Sequence, residues 1–281
     1  MAEYTSTPKV SIYISTCNRI DKLKRAINSV LLQDYECWEL LICDDASIDG
    51  TKEYCQALCE RNKKIKYFRN ESNRGACATR NLGIFNASGM FITGLDDDDE
   101  FTHERLSKFV KHWNEKYSFI CCDFINQFNN ERKKYYNDST GNKVFTYQHM
   151  LFENEASNQI FTLTTRLQAI GGFKEGIMRL QDWDTWLRLS FEYGPFLRLS
   201  SPTYIMYHDH SINEARVSQN KKITESLLDL AARNPEIYTK NDSQFMSYIV
   251  QLMNKNARFV DSLYWSFKKA NPKFIIKYFL Q

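Results

Sequence analysis

Four consecutive aspartates, Asp96 to Asp99, follow directly on an apolar run that ends at Leu95. Neighbouring carboxylates repel one another by about 1 kcal/mol in water and about 4 kcal/mol near a protein surface, so the cluster needs solvent or a bound cation. A solvated acidic turn before a helix at Glu104 would require only one or two of these carboxylates. Carboxylate oxygens suit Mg²⁺ or Mn²⁺, which proteins hold through one or two such groups together with substrate phosphates. We therefore predict a divalent-cation site at this cluster.

Two further segments carry residues that could bind a nucleotide. Asp44 and Asp45 end a second apolar run, where an aspartate either caps a turn or accepts a hydrogen bond from a base or ribose. Arg80 lies in a segment with helical spacing, where an arginine is commonly a solvated surface residue. Its guanidinium could instead hold a diphosphate with paired hydrogen bonds.

A third group of candidate residues lies in the second half of the chain. The segment Gln181-Asp-Trp-Asp184 opens a helical pattern, and on this pattern alone its aspartates are helix-capping residues. His208 and His210 form an H-x-H pair. Beside an acidic metal site such a pair is a candidate ligand set, and imidazole would favour Mn²⁺ over Mg²⁺.

The elements that position these residues alternate between strand and helix through the first 124 residues. Short β-rich runs alternate with segments whose apolar residues recur at i, i+3, i+4 and i+7. We predict strands at 10–15, 38–43, 65–68, 90–95 and 119–124, and helices around 23–31 and at 51–61, 76–86 and 104–117. This alternation is typical of an α/β fold with a mostly parallel sheet covered by helices on both faces.

Ligands of such a sheet bind beyond the carboxyl ends of its strands. Ser15 to Arg19, Asp44 to Ser47 and the aspartate cluster all follow strands, so we expect them to face one crevice. The pattern becomes irregular from about residue 130 to 180. From about residue 221 the chain is predicted to be helical to its end, with breaks near Pro235 and Pro272.

Composition excludes several classes of protein. The chain has 281 residues, of which 43% are hydrophobic and 25% charged, so it is long enough for a core and is not of disordered composition. The net charge of +3 gives no overall case for nucleic acid. The eight cysteines form no C-x-x-C pair, which favours a reducing, cytoplasmic location. No basic, apolar leader begins the sequence and no 18-residue apolar run interrupts it, so we expect neither secretion by a signal peptide nor a membrane span.

Seven segments in the right order resemble the GT-A-fold glycosyltransferases of family 2, which are inverting enzymes that use nucleotide sugars. The resemblance covers residues 9 to 212 and extends to the bacterial enzymes of surface-polysaccharide (O-antigen or capsule) synthesis. The segments, read from the N-terminus, are VSIYISTCNR, LLICDDASIDGT, RGACATRNLGI, FITGLDDDDEF, IGGFKE, LQDWDTWLRL and YHDHSI.

The resemblance implies a role for each matching residue. Ser15 and Asp45 would contact the nucleoside, Arg80 the uracil or diphosphate, and Asp96 the ribose, in a donor site that also includes Asp97. Asp98 would bind the metal in the D-x-D motif, and His208 is the match for the family's late histidine near the diphosphate, in preference to His210. Asp182 would be the general base.

Two departures from the family pattern affect these assignments. Gln181 stands where the family usually has Glu, which leaves the base between Asp182 and Asp184. Asp97 fills a variable position, so the metal ligand could shift by one residue.

The implied activity is metal-dependent transfer, with Mn²⁺ or Mg²⁺, of a hexose or N-acetylhexosamine from a UDP-sugar to a hydroxyl of a saccharide. The acceptor is expected to be lipid-diphosphate-linked and the new linkage β. Two alternatives are a sugar-nucleotide-binding protein without catalysis and a nucleotidyltransferase.

We divide the chain into a catalytic domain at 1–220 and a helical segment at 221–281. Within the first, about 9–100 would bind the donor and about 101–220 the acceptor. In the last 27 residues six lysines and arginines face the single acid Asp261 and interleave with aromatic residues. This pattern fits either a helix packed on the catalytic domain or peripheral contact with the anionic inner face of a membrane.

Overall fold

The structure is a computed structural model of the chain, and it describes residues 7–128, 131–136, 141–208 and 222–280. The chain divides into two compact units. The first comprises Met1–Ile177 with Gln181–Glu214, and the second comprises Met178–Leu180 with Ala215–Gln281.

The first unit begins with the predicted alternation of strands and helices. Its first seven elements are β1 (Val10–Thr16), α1 (Ile20–Leu31), β2 (Trp38–Asp44), α2 (Thr51–Arg61), β3 (Ile65–Arg69), α3 (Ala76–Asn86) and β4 (Phe91–Asp96). Helix α1 buries one apolar face, and every residue of β2 is buried, as expected for the interior of a parallel sheet.

The remainder of the first unit is less regular. Its elements are β5 (Glu100–Phe101), α4 (Arg105–His112), β6 (Ile120–Phe128), β7 (Glu131–Lys134), β8 (Lys143–Phe145), a 3₁₀ helix (Tyr147–Met150), β9 (Phe161–Leu163), α5 (Thr164–Ala169), α6 (Gln181–Tyr193) and β10 (Phe196–Tyr207). Helix α4 ends five residues before the predicted end because the chain turns extended at Trp113, whose side chain is buried.

Among the described residues these strands form one sheet in the order β3-β2-β1-β4-β9-β6-β10-β5, with β7 beside β6 and β8 beside β10. The first four strands are parallel. Strand β9 is antiparallel to both of its neighbours, and β6 and β10 are again parallel to each other. The α/β architecture is therefore confirmed, with a parallel half and a mixed half.

Aromatic side chains pack where the two halves of the sheet meet. Phe161 on β9 stacks on Phe91 of β4, with ring centroids 4.7 Å apart, and on Phe109 of α4 at 5.1 Å. Trp113 packs edge-on against Phe91 at 5.2 Å. Burial of these rings fixes β9 against the amino-terminal half of β4.

The second unit is helical, as predicted. Its helices are α7 (Ile223–Ala232), α8 (Lys240–Met253), α9 (Phe259–Lys268) and α10 (Lys273–Phe279). Trp265 of α9 packs on Phe245 of α8, with ring centroids 4.8 Å apart, and Phe274 of α10 packs on the same ring at 5.3 Å. Within the described parts of the chain, no helix combines the length and apolar character that crossing a bilayer requires.

Candidate active site

The carboxyl ends of β1, β2 and β4 bring the predicted donor-site residues to one edge of the sheet. Ser15 pairs in register with Cys43 on β2 and with Asp96 on β4. Asp45 follows β2 directly, and its backbone N–H donates to the Thr16 carbonyl at 2.9 Å. The expectation that these segments share one edge is confirmed by this register.

Asp45 is buried and organises the start of α3. One of its carboxylate oxygens accepts hydrogen bonds from Asn70 Nδ2 and from the backbone N–H of Arg74, both at 2.8 Å. The other oxygen accepts from the backbone N–H of Gly75 at 2.8 Å. Asp45 therefore caps a turn, which is one of the two readings that the sequence left open, and its contact with a nucleoside stays a prediction.

Asp96 is bound on both of its carboxylate oxygens. Oδ1 accepts from Arg80 at 3.2 Å and from Gln159 Nε2 at 3.0 Å, while Oδ2 accepts from Asn158 Nδ2 at 3.0 Å. The Tyr204 hydroxyl lies 3.4 Å from Oδ2. Three donors thus fix this side chain in one orientation, as pre-organised binding requires.

Asp97 and Asp98 share a cation supplied by the chain itself. Arg19 Nη1 lies 3.2 Å from Asp97 Oδ1 and 3.2 Å from Asp98 Oδ2. Thr16 also donates to Asp97 at 2.8 Å. Burial, followed by repulsion from Asp98, raises the pKa of Asp97 to about 6, although Arg19 and Thr16 act in the opposite direction.

Asp99 connects the acidic loop to the end of β10. It accepts from the Tyr204 hydroxyl at 2.9 Å and from the backbone N–H of Tyr207 at 2.8 Å. His208 follows Tyr207, stacks on Phe128 with ring centroids 4.2 Å apart, and pairs through Nε2 with Asn126 Oδ1 at 2.7 Å. His210 lies outside the described residues, so only His208 of the H-x-H pair has a defined place.

The acidic loop fits a divalent cation. Two carboxylate oxygens, from Asp97 and Asp98, converge on a single cationic nitrogen of Arg19. Across the described residues no group of three or more histidine, cysteine, aspartate or glutamate side chains converges as a closed metal cage. An open site with one or two carboxylates, completed by phosphate oxygens, is how Mg²⁺ and its relatives are usually held. The assignment of Asp98 and His208 as ligands stays a prediction.

Arg80 joins Asp96 to Gln181 and Asp182, which lie far from it in the sequence. From α3 its Nη1 donates to Gln181 Oε1 at 2.6 Å and lies 4.0 Å from Asp182 Oδ1, while Nη2 reaches Asp96. The guanidinium also lies over the Phe173 ring, 5.1 Å from its centroid. The predicted ribose-binding residue Asp96 and the predicted base Asp182 therefore form ion pairs with the same arginine.

Asp182 differs from the other carboxylates of the site because one of its oxygens lacks a hydrogen bond. Among the described residues, Oδ1 is buried and has no hydrogen-bond partner, and the Arg80 guanidinium at 4.0 Å is its ion-pair contact. Burial raises the pKa of Asp182 to about 6; Arg80 lowers it and Asp96 raises it further. A carboxylate with a free lone pair and a pKa near the working pH is suited to accept a proton.

Asp184 has a different environment from Asp182, although it lies two residues along the same helix. It is fully buried, and its Oδ2 pairs with Arg188 Nε at 3.0 Å. The same arginine donates to the backbone carbonyls of Ile170 at 2.8 Å and Gly172 at 2.7 Å. Asp184 thus holds the glycine turn of the IGGFKE segment through Arg188.

Several site residues carry no sequence signal of their own. Asn158 and Gln159 come from the irregular stretch before β9, and Tyr204 comes from β10, which periodicity did not predict. Gly94 allows Tyr13 and Gln159 to meet, since a Cβ there would lie 2.0 Å from Gln159 Oε1. Arg19 lies in a segment that we placed at the crevice. Its positive charge, expected to lie near four aspartates, could have indicated the ion pairs with Asp97 and Asp98.

Comparison with known proteins shows the family to which the sequence is similar. A sequence profile of glycosyl transferase family 2 matches residues 11–174. The chain is 31% identical over 261 residues to the Escherichia coli (strain K12) protein named "Putative colanic acid biosynthesis glycosyl transferase WcaA", covering 89% of this chain and 90% of that one. It is 40% identical over 114 residues to the "GalNAc(5)-diNAcBac-PP-undecaprenol beta-1,3-glucosyltransferase" of Campylobacter jejuni, covering 40% of this chain and 37% of that one.

Solved structures resemble the chain in fold. Staphylococcus aureus TarS 1-349 in complex with UDP-GlcNAc superimposes with a TM-score of 0.69 at 17% identity, over 86% of this chain and 71% of that one. The mannosyltransferase PcManGT from Pyrobaculum calidifontis, in complex with GDP-Man and Mn²⁺, gives 0.63 at 15% identity, over 89% and 72%. The GT-A fold expected from the sequence motifs is confirmed.

Proposed function

Because the chain belongs to glycosyl transferase family 2, we propose that it moves a hexose or N-acetylhexosamine from a UDP-sugar to a saccharide hydroxyl with inversion, forming a β-linkage. The observation that carries this proposal is that Asp182 Oδ1 has no hydrogen-bond partner among the described residues and lies beside a site edge lined by Asp96, Asp97 and Asp98. A base and a cation-binding loop are the two parts that a single displacement at an anomeric carbon requires.

Each residue has a definite task in this reaction. Asp182 accepts the proton of the acceptor hydroxyl as that oxygen attacks, an effect worth about 10²- to 10⁴-fold in rate. Asp96, Asp45 and Ser15 hold the nucleoside. A divalent ion on Asp98, with His208, would stabilise the charge that develops on the leaving diphosphate.

The relatives support the choice of donor and acceptor. UDP-GlcNAc is bound by TarS, and the Campylobacter relative is named for an undecaprenol-diphosphate-linked acceptor. The Escherichia coli relative is named for colanic acid biosynthesis. We therefore propose a lipid-diphosphate-linked saccharide as acceptor, in the synthesis of a surface polysaccharide.

A direct assay tests the donor and acceptor together. UDP-glucose, UDP-galactose, UDP-GlcNAc and UDP-GalNAc would each be incubated with a short lipid-diphosphate-GlcNAc or -GalNAc acceptor and Mn²⁺. We expect one donor to give a product of one added sugar, whose anomeric configuration NMR reports as β. Donor binding without transfer or hydrolysis across the whole panel would favour a sugar-nucleotide-binding protein, and an α-product would contradict inversion.

The helical C-terminal unit supports contact with a membrane. Helix α9 exposes an apolar stripe at i, i+3, i+4 and i+7, formed by Val260, Leu263, Tyr264 and Phe267. Phe267 is the most exposed residue of this stripe, at 90%. Such spacing marks one face of an amphipathic helix.

Helix α10 extends this surface and adds basic charge. Phe259, at the start of α9, lies 5.9 Å from Phe279 of α10, ring centroid to ring centroid, and Phe279 and Leu280 are largely exposed. Lys273 and Lys277 of α10 are also exposed. An apolar surface flanked by lysines fits an anionic bilayer, where each basic residue contributes about 1 kcal/mol. We propose that the protein is cytoplasmic and binds the inner face of the membrane peripherally at this surface.

Flotation with phosphatidylglycerol-containing vesicles tests the membrane proposal. We expect the full chain to float with these vesicles, to be released by salt, and to be lost in a Val260→Ser/Phe267→Ser variant. Leu32→Ser, at an exposed apolar position on the other unit, is the matched control and should float normally. Equal flotation of the Val260→Ser/Phe267→Ser variant and the unmodified chain would exclude the stripe as the contact.

A further inference from the structure

Arg80 is oriented toward the base and not toward open solvent. Its side chain is 11% exposed. Both terminal nitrogens are engaged, Nη1 with Gln181 and Asp182 and Nη2 with Asp96. Its face rests on Phe173. The guanidinium is therefore held from four directions, with Asp182 at one of them.

Gln181 decides how the charge of Arg80 is shared. Its amide oxygen accepts from Arg80 at 2.6 Å, and its amide nitrogen donates to the Ile177 carbonyl at 2.7 Å. A glutamate at this position would set an oxygen against that carbonyl and would place a third negative charge on Arg80. With a neutral amide, the positive charge is divided between Asp96 and Asp182 alone.

The groups that face Asp182 come from three neighbouring elements. They are Arg80 and the Cys77 thiol on α3, Asp96 at the end of β4 and the Tyr13 phenol on β1. Asp184 on the same helix is neutralised by Arg188. Arg80 is the cation in this set, so it opposes the tendency of burial to keep Asp182 protonated.

We propose that Arg80 is a positioning residue for the base, and that Gln181, by remaining neutral, leaves enough of its charge to keep Asp182 ionised and ready to accept a proton. This inference rests on the proposed role of Asp182. It gives Arg80 a function in the free enzyme that is separate from the predicted contact with uracil or diphosphate.

The test measures the ionisation of Asp182 without any substrate. Urea unfolding of the unmodified chain and of Asp182→Asn would be compared between about pH 4 and pH 8, since the difference between the two curves reports the proton on Asp182. Because the pKa of Asp182 is raised in the folded chain, the unmodified chain should lose stability relative to Asp182→Asn as pH rises from about 4, and this loss should level off above the pKa of Asp182 in the folded chain. The same pair would then be measured in Arg80→Gln, Arg80→Lys and Gln181→Glu backgrounds.

The pH above which the stability difference becomes constant is called the levelling pH. We expect it to rise by about one unit or more in Arg80→Gln, a tenfold change in proton affinity. It should rise in Gln181→Glu as well, and Arg80→Lys should restore most of the original value. If Arg80→Gln does not fold, the near-isosteric Gln181→Glu carries the test. An unchanged levelling pH in Gln181→Glu and in every folded Arg80 variant would overturn the inference.

The result of this titration can be distinguished from the result of the test of Asp182 as the base in sugar transfer. Normal sugar transfer by Asp182→Asn would remove Asp182 as the base without altering this titration. Conversely, an inactive Asp182→Asn variant together with an unmoved titration would leave the base in place and remove Arg80 and Gln181 from its control.

Discussion

Glu39 and Asp182 are acidic residues of the first unit, and the groups that surround their carboxylates differ. Glu39, near the amino end of β2, is 1% exposed and accepts from Lys9, Lys66, Ser11 and Ser88 at 2.7 to 2.9 Å. Burial would raise the pKa of Glu39, but the hydrogen bonds led by that from Lys66 hold it far below its usual range.

Glu39 is nearly fully buried, whereas the Asp182 side chain is 27% exposed. The two acids also differ in whether every carboxylate oxygen has a hydrogen-bond donor. Through its donors Glu39 joins β1, β2, β3 and the turn before β4. Its charge therefore stabilises the fold. Asp182 keeps one oxygen without a hydrogen bond, and its pKa is raised to about 6. An unsatisfied buried group is costly in stability, as is common at functional sites.

The largest effect is expected from Asp182→Asn, which removes the proton acceptor while keeping the shape of the side chain. We expect kcat for sugar transfer to fall by about 10²- to 10⁴-fold, with UDP affinity within about twofold of normal. Isothermal titration with UDP and a radiolabelled transfer assay would measure the two quantities. Asp184→Asn is the matched control on the same helix, and it should cost thermal stability instead. Near-normal turnover by Asp182→Asn would mean that Asp182 is not the proton acceptor.

Removal of divalent metal addresses the acidic loop. We expect exhaustive chelation to lower transfer by about 10²-fold or more, since a Lewis acid contributes several kcal/mol to such a step, and Mn²⁺ to restore it best. The chain should remain folded, because Arg19 pairs with both Asp97 and Asp98 and offsets part of their repulsion. Circular dichroism before and after chelation provides the control. Transfer that survives chelation undiminished would contradict a metal-dependent reaction.

Glu39→Gln tests the structural side of the comparison. Loss of the charge leaves Lys9 and Lys66 without their buried partner, so we expect the free energy of unfolding to fall by about 2–4 kcal/mol. Activity per folded molecule should be unchanged. Glu36→Gln, an exposed position three residues earlier, is the control and should change stability by less than about 0.5 kcal/mol. Urea denaturation with parallel kinetics separates the two effects, and a loss of kcat in Glu39→Gln would show that this end of the sheet also serves catalysis.

The two acids also show how far sequence reasoning reaches. The parallel half of the fold was predicted closely because α1 has a clear apolar period and strands such as β2 are continuous apolar runs. In the mixed half β6 and the start of α6 were predicted, but β9 and β10 were not, since those two strands are set by pairing and aromatic packing and not by a local pattern. The residues around Asp182 were named through family resemblance. Their contact through Arg80 joins positions 101 residues apart, which no spacing reveals.

The smallest expected effect is the pH dependence of transfer. Asp182 must be ionised to accept a proton, and its pKa in the free enzyme is raised to about 6, so kcat/KM should rise with pH through that value. Between about pH 7.5 and pH 5.5 the ionised fraction falls about fourfold, and kcat/KM should fall by the same factor. Glu39 remains ionised throughout because its pKa is held low, so its buried ion pairs are kept across the acid limb. Recording the profile together with the fraction folded at each pH separates an effect on the site from loss of the fold. A profile that stays flat down to pH 5 would mean that the pKa of Asp182 is not raised. Asp182 would then stay ionised over this range as Glu39 does, and the two acids would differ only in position.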